Sequence, residues 1–329
     1  MGFVGSSNLA GVAAVASRTR PPPISSVTAM RSTTRIFLSA LALTAVHSSL
    51  ASAQLVGRNE TVYTWRGTIP SGGQFTIKNF NGPIDVRPAS GNTAELRAEK
   101  RVRGSQQITD IGFELHTSSS GDVEICSTRE DSCDDHRRRG DGWRDGGSAT
   151  VSMTVLVPRG VRVRLSTGNG AVSVEGAGSD VQASTGNGRV RIAETQGQVN
   201  VSTGNGDVEV RNAKASVHVS TGNGDVDVVT VEGPVEVSSG NGDIDVRMSA
   251  LRAREDMAFH TGSGDVHLTL PANYNGELDA STGNGTIRSD FDLKIKGQLS
   301  PRHVRATIGS GGAMLRMSTG NGEFEIRKG

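Results

Sequence analysis

The sequence predicts an all-β protein: a single-stranded parallel β-solenoid, or right-handed β-helix, with coils of about 18 residues and two strands per coil. Three observations predict it. A Ser-Thr-Gly-Asn-Gly motif recurs at 166, 184, 202 and 220 and, as Ser-Ser-Gly-Asn-Gly, at 238, a spacing of 18 each time. Apolar residues alternate on both sides of every copy. No Phe, Tyr or Trp occurs from 144 to 258.

The composition agrees. Gly supplies 43 of 329 residues, against only 12 aromatics (8 Phe, 2 Trp, 2 Tyr). Average Gly usage is about 7%; here it is nearly twice that. Bulky side chains have given way to Gly, Val, Ser and Asn, which argues against a helical or α/β enzyme core. Collagen is excluded because Gly has no three-residue period. Two Cys exclude a disulfide-dense miniprotein and a multi-Cys zinc module. Charge is 21% and nearly balanced, so disorder by self-repulsion is not expected.

Residues 1–53 read as leader. Residues 1–29, with a Pro21-Pro22-Pro23 run, are an over-extended start or a disordered leader. Residues 30–53 read as a secretory signal peptide. Arg31 and Arg35 precede the apolar stretch Ile36–Val46, and Ala51-Ser52-Ala53 is the small-residue cleavage site. The apolar stretch is too short to span a bilayer, and no later stretch is apolar enough. Removing the leader takes four Arg and no acid from 35 basic and 34 acidic residues, leaving net −3. No nucleic-acid partner is expected of so acidic a mature chain. Export to the periplasm, the cell surface or the medium is expected.

Residues 54–160 read as an irregular β N-terminal part. Phe75/Ile77 and Ile84/Val86 flank Asn81-Gly82 in the pattern of the repeat. Gly121 to Ile125 resembles a strand after a corner, and Val151 to Val157 is a strand stopped by Pro158. Trp65, Phe75, Phe80 and Phe113 suit a bulkier cap on one end of the solenoid. Cys126 and Cys133 open a polar loop, 126–147, and in an exported chain a disulfide between them is the default.

Residues 161–329 carry the solenoid repeats. The predicted corners are Gly168-Asn169-Gly170, Gly186-Asn187-Gly188, Gly204-Asn205-Gly206, Gly222-Asn223-Gly224 and Gly240-Asn241-Gly242. Looser copies lie at Gly283-Asn284-Gly285, Gly320-Asn321-Gly322 and Gly262-Ser263-Gly264. Val181/Ala183 before a corner and Val190/Ile192 after it typify the pairs that period 2 places on one face. Gly permits positive φ at the corner, and repeated Thr and Asn are expected to bond to their copies above and below. An antiparallel meander, with each Asn-Gly a hairpin turn, is the alternative. The solenoid is preferred because short one-faced strands need a second layer, which a coil supplies from its own other half. A left-handed hexapeptide triangle is rejected: stepping six from Leu165 gives Ala171, Ala177 and Ala183.

The candidate chemistry is sparse. Asp207/Glu209, Asp225/Asp227 and Asp243/Asp245 should stack on neighbouring coils, with Asp265 continuing the face. Stacked like charges repel, so loosely held cations or a basic partner would suit them. No metal site is assigned and no cofactor is expected; weak calcium binding is the one exception kept open. Each Asp follows Gly directly, out of register with the calcium-binding nonapeptide. No Ser/His/Asp or paired-Glu constellation stands out, and the histidines show no H-x-x-x-H spacing. The chain therefore reads as non-enzymatic, with a polysaccharide-active β-helix ranking third.

A signal peptide followed by S-T-G-N-G-D-V-x-V repeats resembles the bacterial putative-adhesin domain family of unknown function, related to the head-GIN-type adhesins. Ser202 to Val210, Phe80 to Val86 and the Cys-bracketed insertion before Val151 carry the likeness, over about residues 60–329. The resemblance implies a β-helical fold and a cell-envelope or secreted location, and supplies no catalytic residues. It points to an adhesin-like protein binding an envelope or extracellular polymer or protein through a repetitive face. The alternative is a structural or stress-related periplasmic scaffold.

Overall fold

The computed structural model describes residues 54–129, 148–230, 232–251, 255–297 and 300–329. The predicted signal peptide, residues 1–29 and Cys133 lie outside these residues.

The first eight strands are β1 (Gln54–Val56), β2 (Val62–Thr68), β3 (Gln74–Asn79), β4 (Ile84–Pro88), β5 (Thr93–Arg103), β6 (Gly112–Thr117), β7 (Val123–Thr128) and β8 (Ser148–Val157). The regular repeats then give β9 (Arg162–Asn169) and β10 (Val172–Glu175), β11 (Val181–Asn187) and β12 (Val190–Ala193), β13 (Val199–Asn205) and β14 (Val208–Ala213). They continue with β15 (Val217–Asn223) and β16 (Val226–Thr230), β17 (Val235–Asn241) and β18 (Ile244–Met248), β19 (Met257–Ser263) and β20 (Val266–Leu270). The last strands are β21 (Gly276–Asn284), β22 (Ile287–Ser289), β23 (Leu293–Ile295), β24 (His303–Ile308), β25 (Met314–Asn321) and β26 (Phe324–Lys328).

Each coil puts its first strand in a 14-stranded sheet and its second in a 12-stranded sheet. From β9 to β20 the pairing is parallel and sequential. Val181 lies against Val199 and Asn187 against Asn205, and the same offset repeats coil after coil. The antiparallel meander is thereby excluded for the repeats. Among the described strands, antiparallel pairs occur only toward the ends, at β1–β6, β6–β7, β2–β5, β5–β8, β21–β24 and β23–β24.

The core is the space between the two sheets. Alternation sends Val181, Ala183, Val190, Ile192, Val199, Val201, Val208 and Val210 inward, all at most 3% exposed. In the central coils Val, Ile and Ala fill this space. Burying each Val or Ile side chain stabilises the fold by about 1.5–3 kcal/mol. Aromatics gather at both ends rather than one. Tyr63 stacks on Phe113 at 4.7 Å and Trp65 meets Phe75 at 5.3 Å. At the other end Phe259 and Phe324 are fully buried and Tyr274 meets Phe291 edge-on.

The corner motif is explained position by position. The Thr is buried, and its hydroxyl donates to the second corner Gly of the preceding coil: Thr185 to Gly170 O at 3.0 Å, Thr261 to Gly242 O at 3.0 Å. This differs from the expected Thr-to-Thr ladder, because an inward-turned hydroxyl finds that carbonyl first. The Asn residues do form a ladder. Asn187 donates to Asn169 at 2.8 Å, Asn205 to Asn187 at 2.9 Å, Asn223 to Asn205 and Asn241 to Asn223 at 2.8 Å each. The second glycine sits at positive φ, +151° at Gly206 and +142° at Gly242. A Cβ there would also overlap the carbonyl oxygen of the corresponding Gly one coil earlier.

One buried charge stands apart from this scheme. Lys100 of β5 is 1% exposed, and its Nζ donates to the carbonyls of Gly57 (2.5 Å), Ile111 (2.7 Å) and Arg58 (3.2 Å). It ties the β1–β2 connection to the segment before β6. Burial pulls its pKa down to about 8, against the opposing pull of Glu60.

Two outcomes are expected. Gly206→Ala should destabilise the fold by about 2 kcal/mol or more, and Asn205→Ala by less, as measured by denaturant melts. The unfolded chain binds the Lys100 proton more tightly than the folded one. Stability should therefore rise as pH increases from about 8 toward the unfolded value near ~10.4. Melts across that window should show this gain in the wild type and its loss in Lys100→Met.

Candidate functional site

The predicted acidic residues come together on the outer face of the 12-stranded sheet. The stack places Arg191, Glu209, Asp227, Asp245 and His267 in one column on β12, β14, β16, β18 and β20. A second column runs along the corner: Arg189, Asp207, Asp225, Asp243 and Asp265. An open groove of about 400 Å³ lies along these columns, lined by Asp207, Glu209, Asp225, Asp227, Asp243 and Asp245 with Arg189, Arg211 and His267. Asp265 stands beside it, one coil on. The opposite sheet presents mostly neutral polar columns instead, such as Ser184, Ser202, Ser220 and Ser238.

Stacked carboxylates repel, and the structure offsets this in two ways. The corner aspartates accept backbone amides from the next coil. Asp243 N donates to Asp225 Oδ1 at 2.9 Å, Asp265 N to Asp243 Oδ1 at 2.8 Å, and Glu323 N to Asp265 Oδ1 at 2.7 Å. The second device is a set of arginines. Arg189 pairs with Asp207 at 2.7 Å and Arg191 with Glu209 at 2.8 Å. Arg211 bridges Glu209 and Asp227, and Arg247 pairs with Asp245 at 2.9 Å. Arg189 beside it holds the Asp207 carboxyl below its ordinary pKa. Burial pulls Glu209 upward, but Arg191 and Arg211 outweigh it and the net shift is down.

The uncompensated charge is therefore local. Asp225, Asp243 and Asp265 form no ion pair among the described residues. They make a central acidic stripe between the arginines of β12 and β14 and the far end of the stack. Among the described residues no three His, Cys, Asp or Glu side chains are arranged to hold a metal ion.

The other predicted positions fall as follows. The Gly-Asn-Gly corners at 168–170, 186–188, 204–206, 222–224, 240–242, 283–285 and 320–322 all stack as structural corners. Cys126 is buried on β7 and is not a free thiol; its expected partner Cys133 lies outside the described residues. The arginine counter-charges were missed. Their signal was present, since Arg189 and Arg191 stand one repeat before Asp207 and Glu209.

Taken together, fold and site define a parallel β-solenoid whose repeats build one acidic face. The family model named Toastrack DUF4097 matches residues 135–327, and the chain belongs to that family of unknown function. No curated protein matches it. Two solved structures are similar in part. One is a putative adhesin from Bacteroides fragilis, 11% identical, with a TM-score of 0.43, covering 80% of this chain and 96% of its own. The other is a putative cell adhesion protein from Clostridium sporogenes, 10% identical, with a TM-score of 0.26, covering 82% of this chain and 100% of its own.

The amide-accepting role of the corner aspartates gives a stability test. Asp243→Ala removes the acceptor for Asp265 N and should cost about 1 kcal/mol. Asp243→Asn keeps an acceptor oxygen and relieves repulsion, so its melting midpoint should match or exceed that of the wild type.

Proposed function

We propose that the protein is an exported, non-enzymatic, adhesin-like binding module, and that its acidic groove receives a cationic partner from the envelope or the extracellular medium. The single observation that carries this reading is the stripe of Asp225, Asp243 and Asp265. These carboxylates repeat along the solenoid and have no ion-pair partner among the described residues. A groove that repeats coil by coil suits an extended partner, such as a basic polypeptide segment or an amino-sugar polymer. Export is supported by Arg31, Arg35, the apolar stretch Ile36–Val46 and the Ala51-Ser52-Ala53 site. A binding role is supported by the setting of the carboxylates, which line an open groove and bond to backbone amides.

One observation favours a structural scaffold as the second reading: the Thr, the Asn and both Gly of the corner motif each have a partner or a steric role within the stack. Binding of purified residues 54–329 to poly-lysine, chitosan and a neutral glucan, measured at low and high salt, separates the two. The proposal expects the cationic polymers to bind and the neutral one not. Affinity should fall steeply with salt, and Asp225→Asn/Asp243→Asn should weaken binding about fivefold or more without unfolding the chain. Binding to no cationic polymer favours the scaffold. Salt-independent binding, or binding unchanged in the double variant, removes the groove from the account.

A further inference from the structure

The C-terminal end of the stack is not built in chain order. The 14-stranded sheet runs β19-β25-β21-β24-β23 and the 12-stranded sheet runs β20-β26-β22. The last two strands of the chain thus lie between the coil of β19 and β20 and the coil of β21 and β22, which precedes them in sequence.

The seat is fitted on both sides. Toward β19 and β20, Thr319 donates to Gly264 O at 3.2 Å and Glu323 N to Asp265 Oδ1 at 2.7 Å. On the other side Thr282 donates to Gly322 O at 3.0 Å and Asn284 to Asn321 Oδ1 at 2.8 Å. Leu315, Met317, Phe324 and Ile326 are at most 1% exposed.

Everything beyond this seat depends on it. β21 pairs with β25 and β24, β22 with β26, and β23 with β24. Among the described strands, none of these four pairs with β19 or β20. Direct stacking of β21 and β22 on β19 and β20 would satisfy the corner motif but not the core. In register, Ala280 and Ser289 would replace Met317 and Ile326 opposite Phe259 and Leu268. Both replacements leave a void. The chain reaches the seat through a short strap, Gly309 to Ala313, held over the start of β21. Asn275 Oδ1 accepts Ser310 N at 2.8 Å, and Glu277 N donates to Ala313 O at 2.9 Å. Gly309, Gly311 and Gly312 take positive φ there.

We infer that β25 and β26 form a closing wedge on which the block of β21, β22, β23 and β24 hangs. The coupling is one-way. Loosening the wedge frees the block, because the block has no other strand partner in the stack. Loosening the block leaves the wedge paired to β19 and β20.

Native-state hydrogen exchange on the full chain tests this. In Met317→Ala, amides of β25 should exchange at least about tenfold faster than in the wild type, with those of β21 and β24 remaining at least as fast as those of β25. In Ile308→Ala, on β24, amides of β21 and β24 should speed up and should exchange faster than those of β26, which need the wedge to open as well. Ile326→Val provides a milder wedge variant should Met317→Ala fail to fold. The inference is overturned if amides of β25 exchange faster than those of β21 and β24 in Met317→Ala. It is equally overturned if β26 exchanges as fast as β24 in Ile308→Ala.

Discussion

The structure depends on how closely two successive coils approach at the corner. A carbonyl oxygen of one coil occupies the space where the next coil would place a Cβ, at both glycines of the motif. Only glycine tolerates that contact, and at the second position only glycine also tolerates the positive φ. With the corners fixed, equivalent residues must lie directly above one another. The buried Thr hydroxyls then find a carbonyl, the exposed Asn amides find one another, and the two strands of each coil face across a thin apolar layer. The high Gly and low aromatic content follow from this one contact.

The same register has an electrostatic consequence. A residue type repeated at a fixed place becomes a column, so a charge repeated at a fixed place becomes a charged column. Corner aspartates are tolerated because each also accepts an amide from the next coil, giving repulsion a local compensation. Where the arginines run out, the field of the column is left facing solvent. Structural need and binding potential therefore reside in the same side chains, and the two oxygens of each carboxylate divide the roles.

Much of this was legible in the sequence, for a definite reason. Period 18 fixes which residues stack, and period 2 fixes which face inward, so Val199, Val201, Val208 and Val210 could be placed from spacing alone. Even Lys100 obeys the alternation, continuing the inward series Ala94, Leu96 and Ala98 of β5. What spacing does not encode is the order of coils at the ends. Ser281 to Gly285 and Ser318 to Gly322 carry the same motif, so either satisfies the corner beyond Ser263. The choice is made by side-chain volume, through Met317 and Ile326 against Ala280 and Ser289. At the acidic face the column was foreseeable, but its amide bonds were not, because they depend on how each carboxylate turns toward the neighbouring backbone.

The near-identity of the central coils gives the molecule an adjustable length. From β11 to β17 the first strands of successive 18-residue units pair in one unchanging register, and the antiparallel pairs described above lie toward the two ends. Duplicating one unit would therefore add a strand to each sheet, lengthen the solenoid by about 4.8 Å and leave both caps untouched. Deleting one would shorten it as cleanly. The number of 18-residue units thus sets the length of the face.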